Sequence, residues 1–236
     1  MTLVCWERTK DYIYWESNDK FLWGDFESLM QFRLIYEGPL FATTPGNNRA
    51  EHKHEIRRAL HAQLKELWKT QPPLKAIYDH KIPMMTIPSG EKGLFRRLEE
   101  IARQHVRDNF SFVPLISARF GLACKLNILF LRRENPGDLV GHGGDLDNRI
   151  KTLFDALQIP KVLNGGLTPL EGEAPFFVLL EDDALITDMR VSTDRLLVPI
   201  QGESTSTHEK SNVHLVIHVE TLIVNPAVSH IEFGLA

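Results

Sequence analysis

Asp145 and Asp147 stand two residues apart in Gly144-Asp145-Leu146-Asp147-Asn148-Arg149-Ile150-Lys151. In an extended chain, residues i and i+2 point the same way. Two carboxylates held that close raise each other's pKa unless a cation neutralises them. A divalent metal bound by oxygen ligands is the usual cation, and hard carboxylates suit Mg²⁺. Directly afterwards Ile150, Leu153, Phe154 and Leu157 fall at i, i+3, i+4 and i+7, the apolar stripe of a short helix. Asp147 or Asn148 is a natural N-cap for it, because a short polar side chain can accept the unpaired amide protons of the first turn. Lys151, four residues after Asp147, can reach back toward the carboxylates. A third acidic group, Glu181-Asp182-Asp183, follows an apolar run over residues 175–180 that reads as a buried strand. Taken singly, each acidic pair reads as ordinary loop; their conjunction with Lys151 and a helix start favours a metal site.

Asp145-Leu146-Asp147-Asn148, Lys151, Asp155-Ala156-Leu157 and Asp182-Asp183 before an apolar strand together resemble the RusA family of Holliday-junction resolvases. The resemblance implies that Asp145, Asp147 and Asp183 hold Mg²⁺, with Mn²⁺ as a substitute. It implies that Lys151 is also needed and that Asn148, Asp155 and Asp182 support the site. It further implies an endonuclease that hydrolyses DNA phosphodiesters at branched junctions in recombination and repair. A junction requires two symmetric cuts, so a two-fold homodimer is expected. The chain departs from the family in three places. The connection from Asp155-Ala156-Leu157 to Asp182-Asp183 is longer, an extension precedes the first plausible family strand near Arg33, and Gly141-His142-Gly143-Gly144 replaces basic and aromatic residues. The alternatives are a metal-dependent nuclease with another nucleic-acid substrate, such as a defence nuclease, or a nucleic-acid-binding protein without catalysis.

Rival chemistries fit less well. An EF-hand loop opening at Asp145 needs glycine sixth and glutamate twelfth, where Ile150 and Ala156 stand. A haloacid-dehalogenase-type phosphatase places its Asp-x-Asp after an early strand, and a Toprim nuclease would leave Lys151 and the Asp-Asp pair unexplained. The glycines at 141–144 lack the Gly-Lys-Ser/Thr ending of a P-loop, and His142 reads as a loop residue.

The elements that must position these residues follow from periodicity. Strands are expected over residues 31–37, 110–116, 122–132, 185–191 and 196–200, and around Val213, Leu215, Ile217 and Val219. Pro114 marks an edge or a bulge. A long helix over 49–69 has the apolar face Ile56, Leu60, Leu64, Leu67 and Trp68, with His54, Arg58, His61, Lys65 and Lys69 opposite. Gln71-Pro72-Pro73 ends it, and loop follows through Pro83. A second helix over 91–107 buries Leu94, Phe95, Leu98, Ile101, Ala102 and Val106 and exposes Arg96, Arg103 and Arg107. Residues 160–174 read as a mobile loop over the site and 201–212 as a polar loop; the tail after Asn225-Pro226 carries no signal. The expected class is α+β (mixed α/β), one mixed sheet covered by helices, with a nuclease domain over 31–236. Residues 1–30 form an aromatic, acidic extension whose Trp6, Trp15 and Trp23 are expected to pack on the domain or on a partner.

The net charge of −4 conceals a segregation: residues 46–133 hold 17 Lys/Arg against 8 Asp/Glu, and residues 134–188 hold 3 against 11. A basic region beside an acidic one suits a metal enzyme acting on a polyanion. His54, Arg58, Lys65, Lys69, Arg96 and Arg103 are accordingly the candidate DNA contacts, although a solvated helix face explains them equally well. Cys5 and Cys124 form no metal-binding spacing and indicate a reducing, cytoplasmic setting. No apolar stretch long enough for a membrane span and no signal-peptide core stands out.

Overall fold

Alternation of buried with less buried residues marks a strand that buries one face, and three long segments show it over most of their length. They are β1 (Ser28–Pro39), β4 (Leu122–Arg132) and β7 (Asn212–Ile223). The computed structural model describes residues 28–43, 49–79, 97–133, 146–163, 166–197 and 211–233. Within these, β6 (Ile186–Arg195) completes a four-stranded sheet in the order β1-β7-β4-β6. β7 runs antiparallel to β1 and β4, and β6 parallel to β4. Leu34, Tyr36, Leu126, Ile128, Phe130, Leu215 and Ile217 form its buried face. Residues 196 and 197 are not strand, so the strand expected over 196–200 fails in its described part.

A second sheet, β2-β3-β5, holds the continuous apolar runs. β3 (Phe110–Ile116) lies parallel to β5 (Phe176–Leu180), and β2 (Val106–Arg107) pairs with Phe110 and Ser111 alone. Pro114 therefore lies beyond the reach of β2, in agreement with its inability to donate a ladder hydrogen bond. The strands thus divide between two mixed sheets rather than forming the expected one, and the α+β class stands.

Helix α1 (Ala50–Thr70) packs against β1, β5 and α4 (Leu146–Leu157). The apolar stripes of α1 and α4 enter one core with the inner faces of both sheets. After α1 the chain does not become loop. Pro72 and Pro73 occupy the first turn of α2 (Pro72–Tyr78), where a missing N–H costs nothing. α3 is described over Arg97–Gln104 and buries Leu98, Ile101 and Ala102. The helix expected to run to 107 stops earlier because Val106 and Arg107 join β2, leaving Val106 exposed. The tail forms α5 (Pro226–Phe233), which sets Phe233 against Phe120 and pairs Glu232 with Arg97. Gly121 makes that docking possible. It has φ +63°, and a Cβ there would stand 2.7 Å from the Asn225 carbonyl oxygen.

Candidate functional site

Helix α4 begins at Leu146, so Asp147 lies inside its first turn and does not cap it. The Asp147 Oδ1 accepts the Asn148 N–H at 2.8 Å, at the helix end where the backbone dipole favours a carboxylate. The expected extended Asp-x-Asp pair is therefore helical at its second member. Asp145 lies outside the described residues, as do Arg96, His142 and the Trp-rich segment. Lys151 follows one turn after Asp147 on the same helix face and is exposed.

Asp183 comes from a different element and shares a cleft with Lys151, whereas Asp147 is not among the residues lining that cleft. β5 ends at Leu180, whose carbonyl accepts the Ile159 N–H at 3.0 Å, so the end of α4 and the end of β5 are joined. Asp182 then caps a short 3₁₀ turn, Asp183–Leu185, by accepting the Ala184 N–H at 3.0 Å. Asp183 donates its own N–H to Gln158 Oε1 at 3.2 Å. A cleft of about 500 Å³ is lined by Lys151, Asp183, Asp155, Gln158, Lys53, Arg57 and Lys161, among others. Asp182 lies instead with His105, Arg107 and Glu181 on a neighbouring hollow of about 260 Å³. The Asp-Asp pair is thus divided, one carboxyl holding the turn and the other lining the cleft.

A chain of contacts holds the cleft together. Lys53 pairs with Asp155 Oδ2 at 2.7 Å, and Arg57 donates to the Asp155 carbonyl at 2.7 Å. Gln158 Nε2 contacts Asp155 Oδ1 at 3.4 Å and its Oε1 receives Asp183. Asp155 is therefore occupied in tying α4 to α1. The Asp183 carboxylate and the Lys151 ammonium, by contrast, have no hydrogen-bond or ion-pair partner among the described residues. The Asp147 and Asp183 carboxylates are hard oxygen donors, chemically suited to a divalent ion. Among the described residues alone, no group of three or more His, Cys, Asp or Glu is placed to hold a metal.

The basic face of α1 differs from expectation. His54 is 1% exposed and packs on Phe110 and Phe176, and His61 is buried on Phe176 and Phe177. Neither ring faces solvent. Burial, aided by Arg57 and Arg58, pushes the His54 pKa down to about 4, and burial also lowers that of His61. His61 Nδ1 accepts the Phe177 N–H at 2.8 Å, which fixes the ring against β5. Arg58 forms a two-pronged pair with buried Glu173, at 2.7 and 3.2 Å, and Lys65 donates to the Gly172 carbonyl at 2.6 Å. These bonds strap the 166–174 stretch onto α1, so that part of the connection is anchored rather than loose. Arg103 is exposed in the last turn of α3, and Lys69 lies 3.7 Å from Glu66.

Lys53, Arg57, Gln158 and Lys161 were not singled out by sequence reasoning. Lys53 and Arg57 are spaced i, i+4 and lie on the α4 side of α1, a signal that a one-face reading of the helix passes over. Comparison with protein-family models, with curated proteins and with solved structures finds no match to this chain.

Proposed function

We propose that this chain is a divalent-metal-dependent endonuclease of the RusA type, cutting DNA phosphodiesters at branched junctions as a cytoplasmic homodimer in recombination or repair. The observation that carries this reading is the cleft in which Asp183 and Lys151, both without hydrogen-bond or ion-pair partners among the described residues, share walls with Lys53, Arg57 and Lys161. Cations outnumber carboxylates among those wall residues, an environment that receives a phosphodiester. Asp147 and Asp183, with Asp145, are the residues that would hold Mg²⁺, or Mn²⁺ in its place. That ion supplies Lewis-acid polarisation of the phosphate and a more acidic water. Lys151 offers an ammonium to negative charge developing on the phosphate oxygens. The Asn148 N–H holds the Asp147 carboxylate, Asp182 caps the turn that carries Asp183, and Asp155 positions the cleft wall through Lys53 and Gln158. Gln158 fixes the backbone from which Asp183 projects.

The test is cleavage of four-way junction, flap, duplex and single-stranded DNA and of RNA, with and without Mg²⁺ or Mn²⁺. Metal-dependent cutting that falls at least about 100-fold in Asp183→Asn, with retained DNA binding, is the expected result. No cutting of any of these substrates by folded protein would overturn the reading. Cutting of other substrates in preference to junctions would keep the nuclease and discard the resolvase.

A further inference from the structure

The four-stranded sheet has two faces, and the chemistry described above uses neither of them directly. Its inner face is core. On its outer face, strand register assembles a grid whose rows run across all four strands. The central row is Ile35, Val216, Leu129 and Ser192. Ile35 is 46% exposed and Leu129 37% exposed, so this apolar row stands at the surface. The row on one side is Arg33, His218, Asn127 and Arg190, and the row on the other is Glu37, His214, Leu131 and Asp194. β1 and β6, the outer strands, therefore each carry an arginine on one side of the apolar row and a carboxylate on the other.

We propose that this face is where two copies of the chain pair, about a two-fold axis lying along the Ile35–Val216–Leu129 row. Rotation about that axis turns one sheet over onto the other and reverses its strands, so β1 faces β1 and β6 faces β6. Ile35, Val216 and Leu129 then meet their own counterparts. Arg33 of each copy meets Glu37 of the other, and Arg190 meets Asp194. The pattern is self-complementary under that rotation, which is the requirement of an isologous interface. Head-on pairing in the opposite sense would set arginine against arginine and carboxylate against carboxylate, a juxtaposition that complementary interfaces avoid. With strands about 4.8 Å apart and rows about 6.8 Å apart, the twelve grid positions cover roughly 400 Å² per copy. A pair hides about 800 Å² within these three rows, the size of a weak interface, so charge pattern and register rather than area carry the pairing. The residues of this face are exposed or half-buried. β1 cannot extend the sheet sideways at its centre either, because Gln63 bonds both the N–H and the carbonyl of Ile35, at 2.9 and 2.7 Å.

The inference stands on the sheet alone and names the surface for the homodimer proposed above, without depending on nuclease chemistry. The experiment is light scattering and sedimentation on three samples of the full chain. The first is Arg33→Glu with Arg190→Glu, the second Glu37→Arg with Asp194→Arg, and the third a mixture of the two. The unaltered chain is expected to be a dimer and each double variant a monomer, since each sets like charges together at four places. The mixture is expected to return to a dimer of one copy of each, because every pair is again opposite in sign. Far-ultraviolet circular dichroism and melting of each double variant separate lost pairing from lost folding. Leu129→Glu, also followed by both methods, serves as a second disruption if a double variant misfolds. A dimer that survives in both double variants and in Leu129→Glu would place the interface elsewhere. A monomeric unaltered chain would overturn both this surface and the homodimer, leaving cleavage to be judged by its own assay.

Discussion

Among the described residues the four-stranded sheet buries one face and leaves the other exposed or half-buried, whereas β5 of the smaller sheet is buried along its whole length. The difference is written in their side chains. β7 alternates Val213, Leu215, Ile217 and Val219 with polar or less buried residues, while β5 is Phe176-Phe177-Val178-Leu179-Leu180 without interruption. A strand covered on both sides cannot end in solvent gradually, and the first polar residues after it cluster where the cover stops. Those residues are Glu181, Asp182 and Asp183, and the cleft is found there. The open sheet offers an extended surface suited to a partner, and the buried one delivers carboxylates to a fixed point.

The comparison breaks most readily at Phe176, which packs with His54, His61, Phe110 and Phe112. Phe176→Ala is expected to cost about 3–5 kcal/mol in urea unfolding. Asn127→Ala on the open face should change stability by no more than about 0.5 kcal/mol. Similar losses at both positions in the dissociated chain would mean that the open face is covered by another segment of the same chain.

Arg58→Ala leaves Glu173 buried without its cation and should cost about 1–3 kcal/mol. It should also render the 166–174 stretch susceptible to limited proteolysis. If stability is unchanged and only DNA affinity and its salt dependence fall, Arg58 serves the phosphate backbone and not the strap.

Gln158→Ala removes the side chain that receives Asp183 and contacts Asp155. Cleavage is expected to fall about 10-fold or more, as for groups that orient metal ligands, with folding largely kept. The readout specific to positioning is a weaker apparent affinity for Mg²⁺. Unaltered metal dependence would reduce Gln158 to a packing residue.

The smallest effect is expected in the pH profile. The His54 pKa is lowered in the fold from 6.5 to about 4, so between these values the unfolded chain binds more protons. The contribution of neutral His54 is complete above about pH 6.5 and is lost as pH falls toward 4. His52, His61 and His105 are lowered too, each chiefly by burial, and add to the same slope. His54→Phe should flatten, without abolishing, the decline of stability over that window. An unchanged slope would show that His54 is solvated.

Local periodicity made β3 and β4 legible to the residue, along with the buried alternation of β7 and the stripe of α4, because each depends on neighbours within a few positions of the chain. The Asp147, Lys151 and Asp183 candidates were legible for a related reason: their types and spacing carry the chemistry whatever surrounds them. α2 and α5 were not, being short and assembled around prolines, and contacts across the fold stabilise them: Leu74 and Ile77 in the core, Phe233 on Phe120 and Glu232 with Arg97. The division of the strands into two sheets was hidden as well, since pairing partners lie far apart in sequence.

Tertiary structure alone decided what the polar residues do. Helix α1 shows one apolar stripe, yet it is enclosed by α4, β5 and β1, so Lys53, His54, Arg57 and His61 are buried along with the leucines. Burial of such groups requires partners, and those partners, Asp155, Phe176 and the Phe177 N–H, come from segments about 100 residues away. Asp183 and Gln158 lie 25 residues apart, and nothing in that spacing hints that Gln158 would orient Asp183 while Asp182 capped a turn. Residue types and their spacing along the chain determined which side chains could bind a metal or a phosphate. Which of them stay available was set by contacts across the core, because a charge is kept free or consumed by whichever group the fold brings to it.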